Sequence, residues 1–177
     1  MQKMLEKLSK RIASEIKRAD PDGPGSVEVL TYSIGIKLNW YTGLMLTVLF
    51  GWVLGDILNA LLAFFSFVAL RKFSGGFHFR SLTFCAVFSA TLFASIPLIH
   101  LGHDGTLLLT SITVLVVLWV APRKSEDLNP SGLDPYLKWI SLAIVLVNFI
   151  LQSPTIALSF TAQAVLLLPI WKGGEQR

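Results

Sequence analysis

Cys85 lies seven positions after His78, in the stretch Arg71-Lys72-Phe73-Ser74-Gly75-Gly76-Phe77-His78-Phe79-Arg80-Ser81-Leu82-Thr83-Phe84-Cys85. A thiolate beside an imidazole is the working pair of cysteine proteases. With Ser81 as a helix N-cap, Cys85 falls in the first turns of that helix. The positive potential there lowers a thiol pKa, and Arg80 and a protonated His78 push the same way. On one continuous helix, residues seven apart are separated by about 10 Å along the axis, too far for a hydrogen bond. His78 must therefore sit on a loop folded back over the helix start. Gly75-Gly76 permits that fold, and exposed N–H groups there offer oxyanion donors, although the spacing does not say which. Each feature has a blander reading: an inert packed thiol, a polar interfacial histidine, a simple turn, and Arg71 and Lys72 as topological anchors. Their coincidence within one short segment favours the active site of a membrane-edge cysteine endopeptidase.

The elements that must position this segment are membrane elements. The chain has 177 residues, of which 53% are hydrophobic and 15% charged. A soluble domain carries about 25% charged residues. The apolar residues cluster in long runs, which implies one integral membrane domain. The net charge of +4 fits membrane orientation and contact with anionic lipid. No aromatic-plus-basic pattern suggests nucleic acid. One cysteine excludes an intrachain disulfide and a cysteine-rich metal cage. The first twenty residues are charged throughout, unlike a cleavable signal peptide.

Met1, Met4, Leu5, Leu8, Ile12 and Ile16 recur at helical spacing among basic residues, predicting an amphipathic helix lying in the headgroup plane. Pro21-Asp22-Gly23-Pro24-Gly25 stops it, and a second short helix follows from Ser26 as N-cap. Residues 1–37 thus form an interfacial segment. Residues 38–171 form a single transmembrane domain with spans at 38–54, 57–70, 82–99, 106–121, 137–151 and 155–171. Residues 172–177 form a tail. The fold class is all-α and polytopic, with six short spans and an interfacial helix.

Charge supports six. All 15 Lys and Arg residues fall at 3–37, 71–80, 123–124, 138 and 172–177, so alternate connections are basic. The positive-inside rule then places both termini and the His78–Cys85 segment in the cytoplasm. A single span over 38–70 would put the Arg71–Arg80 cluster outside. Trp40, Tyr41, Trp52, Trp139 and Trp171 stand near span ends, where interfacial anchors belong.

Other polar residues rank lower. Asp56 interrupts an apolar run, but Gly55 before it favours a hydrated hairpin tip over an intramembrane carboxylate. Glu28 is either a third member beside His78 or a solvated helix residue. Glu126, Asp127 and Asp134 read as hydrated loop residues. His100, His103 and Asp104 lack a metal-binding motif, and no second ligand pair accompanies His78 and Cys85, so no metal is expected. A non-enzymatic peptide transporter or export component is the main rival. It needs polar residues within the spans, which offer little beyond Asn39, Asn59 and Asn148. A scaffold whose cysteine only packs is the second rival.

The pattern Arg71-x-x-Ser-Gly75-Gly76-x-His78-x₆-Cys85 resembles the signature of the accessory gene regulator protein B (AgrB) family of membrane endopeptidases from Gram-positive quorum-sensing systems. The likeness extends to the basic amphipathic N-terminus, Tyr32–Gly35, Ala121-Pro122 opening a loop that ends near Asn129-Pro130, and Leu167-Leu168-Pro169-Ile170. It implies that Cys85 attacks an AgrD-type propeptide, with His78 as base, releasing the C-terminal tail. An internal Cys or Ser then closes a thiolactone or lactone. It further implies a positioning or carboxylate-binding role for Arg71, a backbone role for Gly75 and Gly76, and no cofactor. The expected partners are the propeptide and anionic lipid, with a second copy of the chain left open. The expected location is a multi-pass bacterial membrane. Phe79 stands where family members often carry a small residue, which bears on pocket shape and substrate preference.

Overall fold

The computed structural model describes residues 4–77, 81–123 and 134–170. His78, Phe79, Arg80, Glu126, Asp127, Asn129, Pro130, Trp171 and the tail at 172–177 lie outside the described residues. The described residues form seven α-helices and no strand: α1 Met4–Ala19, α2 Val27–Val53, α3 Ile57–Ser74, α4 Leu82–Ser95, α5 His103–Val120, α6 Leu137–Leu151 and α7 Pro154–Leu167. Short 3-10 turns at Ile96–Leu98 and Asp134–Tyr136 follow α4 and precede α6.

Helix α1 ends just before Pro21, and the Lys17 ammonium closes the turn by donating to the Gly23 carbonyl at 2.7 Å. Its apolar stripe is divided between two environments. Leu5, Ser9 and Ala13, four residues apart, are buried, whereas Met4, Leu8 and Ile16 remain exposed. One face of this helix therefore docks on protein and the neighbouring apolar face points away from it.

Helix α2 is longer than the short second helix expected after Ser26. Ser26 is the N-cap, its hydroxyl accepting from the Val29 N–H, but the helix then runs unbroken for 27 residues. That is about 40 Å. Lys37 and Asn39 are tolerated helix residues, and no proline interrupts the run. The turn at Leu54–Asp56 lies where Gly55 suggested. Gly55 has φ +84°, and Asp56 caps α3 by accepting from Asn59 N–H. The hairpin closes tightly because a Cβ on Gly51 would stand 2.9 Å from Ala60 Cβ and 3.1 Å from Ile57 Cα.

Of the six expected spans, three correspond to segments long and apolar enough to cross a membrane: Ile57–Ser74, His103–Val120 and Asp134–Leu151. Leu82–Leu98 and Pro154–Leu167 are apolar but shorter than these 18-residue segments. Two apolar clusters hold the bundle. Leu70, Val117, Val145, Ile156, Phe160 and Leu167 join α3, α5, α6 and α7. Phe64, Phe67 and Phe93 join α3 to α4, with the Phe64 and Phe93 rings edge to face at 5.6 Å. The α6–α7 turn is fixed by buried Asn148. Its amide donates to Thr110 Oγ1 at 3.0 Å and to the Ser153 carbonyl at 3.3 Å, and its oxygen accepts from the Ser153 N–H at 3.2 Å.

Candidate active site

Cys85 is half-buried near the start of α4. Ser81 caps that helix, its hydroxyl accepting from the Phe84 N–H at 3.4 Å. The Cys85 N–H donates to the Ser81 carbonyl at 2.9 Å, the first bond of the α4 ladder. The thiol therefore sits in the region where a helix N-terminus favours negative charge.

Two neighbours of this helix start were not legible as such in the sequence. Glu6 reaches from α1 and accepts the Leu82 N–H at 2.9 Å through Oε1, while the Leu5 N–H donates to Thr83 Oγ1 at 3.3 Å. The other Glu6 oxygen is buried and has no hydrogen-bond partner among the described residues. Helix α1 is thus latched onto the front of α4. Across from it, Asn39 on α2 points its amide at the thiol, with Nδ2 4.0 Å from Cys85 Sγ. Asn39 Oδ1 is buried without a hydrogen-bond partner among the described residues.

The turn that leads toward His78 is built by α3 and α7. Helix α3 ends at Gly75, which has φ +69° and donates its N–H to the Arg71 carbonyl at 2.9 Å. Gly76 follows with φ +131°, and a Cβ there would lie 3.2 Å from Gln163 Nε2 and 3.5 Å from the Leu166 carbonyl. Only glycine suits both the backbone angle and the space. Gln163, fully buried on α7, donates to Ser74 Oγ at 3.0 Å and to the Gly75 carbonyl at 2.6 Å. Its Oε1 accepts from Arg71 Nη1 at 3.4 Å, and Arg71 Nη2 donates to the Phe77 carbonyl at 2.6 Å. The Phe77 N–H donates to the Leu166 carbonyl at 3.2 Å. Arg123 braces the same turn, its N–H donating to the Ser74 carbonyl at 2.9 Å and its guanidinium to the Leu168 carbonyl at 2.8 Å. The carbonyl that immediately precedes His78 is therefore held by Arg71.

The structure joins Arg71, Gly75 and Gly76 in one hydrogen-bonded turn, and places Ser81 and Cys85 on one helix start. His78 lies outside the described residues. Glu28 is exposed in the first turn of α2, eleven residues from Asn39. That is about 16 Å along the axis from the residue that approaches Cys85. Hydrogen bonds from its own backbone N–H and from Ser26 hold the Glu28 carboxyl below its ordinary pKa. His103 and Asp104 begin α5 and are exposed, and among the described residues no three His, Cys, Asp or Glu side chains gather as a metal site.

The accessory gene regulator B family model matches residues 3–172. A putative AgrB-like protein of Halalkalibacterium halodurans is 26% identical over 174 residues, covering 94% of this chain and 88% of that protein. An accessory gene regulator protein B of Staphylococcus aureus is 27% identical over 161 residues, covering 84% of this chain and 82% of that one. No solved structure matches the chain. With nearly its whole length covered by the family model, the chain belongs to the accessory gene regulator B family.

Proposed function

We propose that this protein is a membrane cysteine endopeptidase of an accessory gene regulator quorum-sensing system, maturing an AgrD-type propeptide. Cys85 thiolate attacks the scissile carbonyl carbon while His78 manages the proton. The C–N bond then breaks, the C-terminal tail leaves as an amine that takes the proton from the imidazolium, and the propeptide remains as a thioester on Cys85. An internal Cys thiol or Ser hydroxyl of the propeptide attacks that thioester. Its proton passes to His78, the C–S bond to Cys85 breaks, and a cyclic thiolactone or lactone is released. The thioester retains acyl-transfer potential that hydrolysis would discard, so a site fed from the membrane and shielded from water suits cyclisation.

The observation that carries this reading is the placement of Cys85 at a capped helix start, together with the braced Gly75–Phe77 turn in the segment before it. The polar residues within the helices favour it over a transport role. Asn59 bonds Asp56 at 2.8 Å, and Asn148 bonds Thr110 and Ser153, so both serve the fold. Asn39 alone of the three faces the thiol. In this reading six short spans place both termini and the active site in the cytoplasm. The exposed Met4, Leu8 and Ile16 of α1 meet the inner leaflet, and its basic residues meet anionic lipid. A second copy of the chain is a further partner in this reading.

The test is co-expression of the chain with a panel of tagged AgrD-type propeptides. Cys85→Ser abolishes tail removal at unchanged membrane abundance, and His78→Ala does the same. Tail removal by Cys85→Ser, or none by the parent chain, refutes the proposal.

A further inference from the structure

We propose that the Asn39 side-chain amide donates to the oxyanion that forms when Cys85 attacks its substrate. This rests on the endopeptidase reading above.

A cysteine at a helix start has an obvious set of oxyanion donors in the nearby backbone N–H groups, but here several are committed. The Leu82 N–H is taken by Glu6 Oε1, the Phe84 N–H by Ser81 Oγ, and the N–H of Cys85 itself by the Ser81 carbonyl. Using any of these would require breaking a capping or ladder bond. The amide of Asn39 comes from a different helix and approaches the sulfur from the side, with Nδ2 4.0 Å from Sγ. That separation is long for a bond to sulfur, yet it suits a bond to an atom beside sulfur. In the tetrahedral intermediate the oxyanion is bonded to the same carbon as Sγ. A donor must stand about 2.7–3.1 Å from that oxygen, and an amide nitrogen at this distance from the sulfur leaves room for it between them.

The other end of Asn39 supports the assignment. Oδ1 is buried and has no hydrogen-bond partner among the described residues, an arrangement that costs free energy in the resting protein. A purely structural amide is expected to satisfy both ends, as Asn148 does. A backbone N–H of an extended propeptide supplies the missing donor, so substrate binding completes the hydrogen bonding of Asn39 and fixes the direction of its Nδ2.

The experiment uses the full-length purified chain in lipid nanodiscs and a labelled propeptide from the panel that the parent protein cleaves. Asn39→Ala removes the donor. Asn39→Asp keeps its shape but replaces the donor with an acceptor. Both are read beside the thermal stability of the parent. Single-turnover cleavage is expected to fall roughly 100- to 1,000-fold in both. In Asn39→Ala, which adds no charge beside the sulfur, alkylation of Cys85 by iodoacetamide, which needs the thiolate but forms no oxyanion, is expected to proceed at the parent rate. Cleavage at the parent rate in either variant overturns the inference. So does a matched loss of cleavage and alkylation in Asn39→Ala, which makes Asn39 a support for the thiolate or the fold. Cleavage by Cys85→Ser is separable from both results, because it removes the endopeptidase reading itself.

Discussion

Gln163 Nε2 donates to the Gly75 carbonyl at 2.6 Å, joining residues 88 positions apart. The same side chain touches Ser74 and Arg71, so one buried amide organises the end of α3 from the end of α7. Gln163→Leu is nearly equal in size but leaves the Gly75 carbonyl and the Ser74 hydroxyl with only their long 3.4 Å bond to each other, close to unsatisfied. Each buried unsatisfied group costs about 1–3 kcal/mol. The variant is predicted to melt at a lower temperature and to cleave propeptide slowly, measured by thermal unfolding in nanodiscs and by gel assay of tail removal. Parent-like behaviour in both would show that the turn does not depend on this bond.

Gly76→Ala tests the turn from the backbone side. A φ of +131° is strained for alanine, and its Cβ would press on Gln163 Nε2 at 3.2 Å. Such backbone strain costs on the order of 1–3 kcal/mol. Cleavage is predicted to be lost while the protein still reaches the membrane, as read by immunoblot of membrane fractions beside the cleavage assay.

Arg71 holds two acceptors at once, the Phe77 carbonyl and Gln163 Oε1. A guanidinium fork spans both, whereas an ammonium is a single point of charge. Arg71→Lys is therefore predicted to resemble Arg71→Ala, with at least about a tenfold loss of cleavage, since one lost charge-assisted bond is worth about 1.5–3 kcal/mol. Full rescue by lysine would mean that charge alone matters at this position, as in simple attraction of a substrate carboxylate.

The hairpin tip gives a pH prediction. The Asn59 side-chain amide, and then its backbone N–H, hold the Asp56 carboxyl below its ordinary pKa. A depressed pKa means that the contribution of this cap is present above the ordinary aspartate value of about 3.9. It is lost as pH falls through the lower folded value. Asp56→Ala should thus destabilise the protein at neutral pH, and the difference from the parent should shrink in strong acid. Thermal unfolding of both proteins across pH checks this, and a constant difference at every pH would contradict it.

Local chemistry made much of this protein legible in the sequence, and long-range contact hid the rest. Ser26 and Ser81 are recognisable helix caps, and Gly55-Asp56 is a recognisable turn, because capping and positive φ are decided within a few residues. The continuity of α2 was obscured because Lys37 and Asn39 look like the edge of a span, although neither residue breaks a helix. The partners of the site are harder still. Glu6 reads as one charge in an amphipathic helix, yet it caps Leu82, 76 residues away. Asn39 reads as a polar blemish in an apolar run, and Gln163 carries no signal of its own, until the packing of α2 on α4 and of α7 on α3 brings them to Cys85 and Gly75. Periodicity marks which face of a helix is apolar but not which side chain it meets.

Intact-mass spectrometry of the purified protein, mixed briefly with an AgrD-type propeptide and quenched in acid, tests the proposed covalent chemistry most directly. The expected species is an adduct equal to the propeptide without its tail, mapped by peptide digestion to Cys85 and absent in Cys85→Ser. Tail release without any adduct on Cys85, or an equal adduct in Cys85→Ser, would contradict that chemistry.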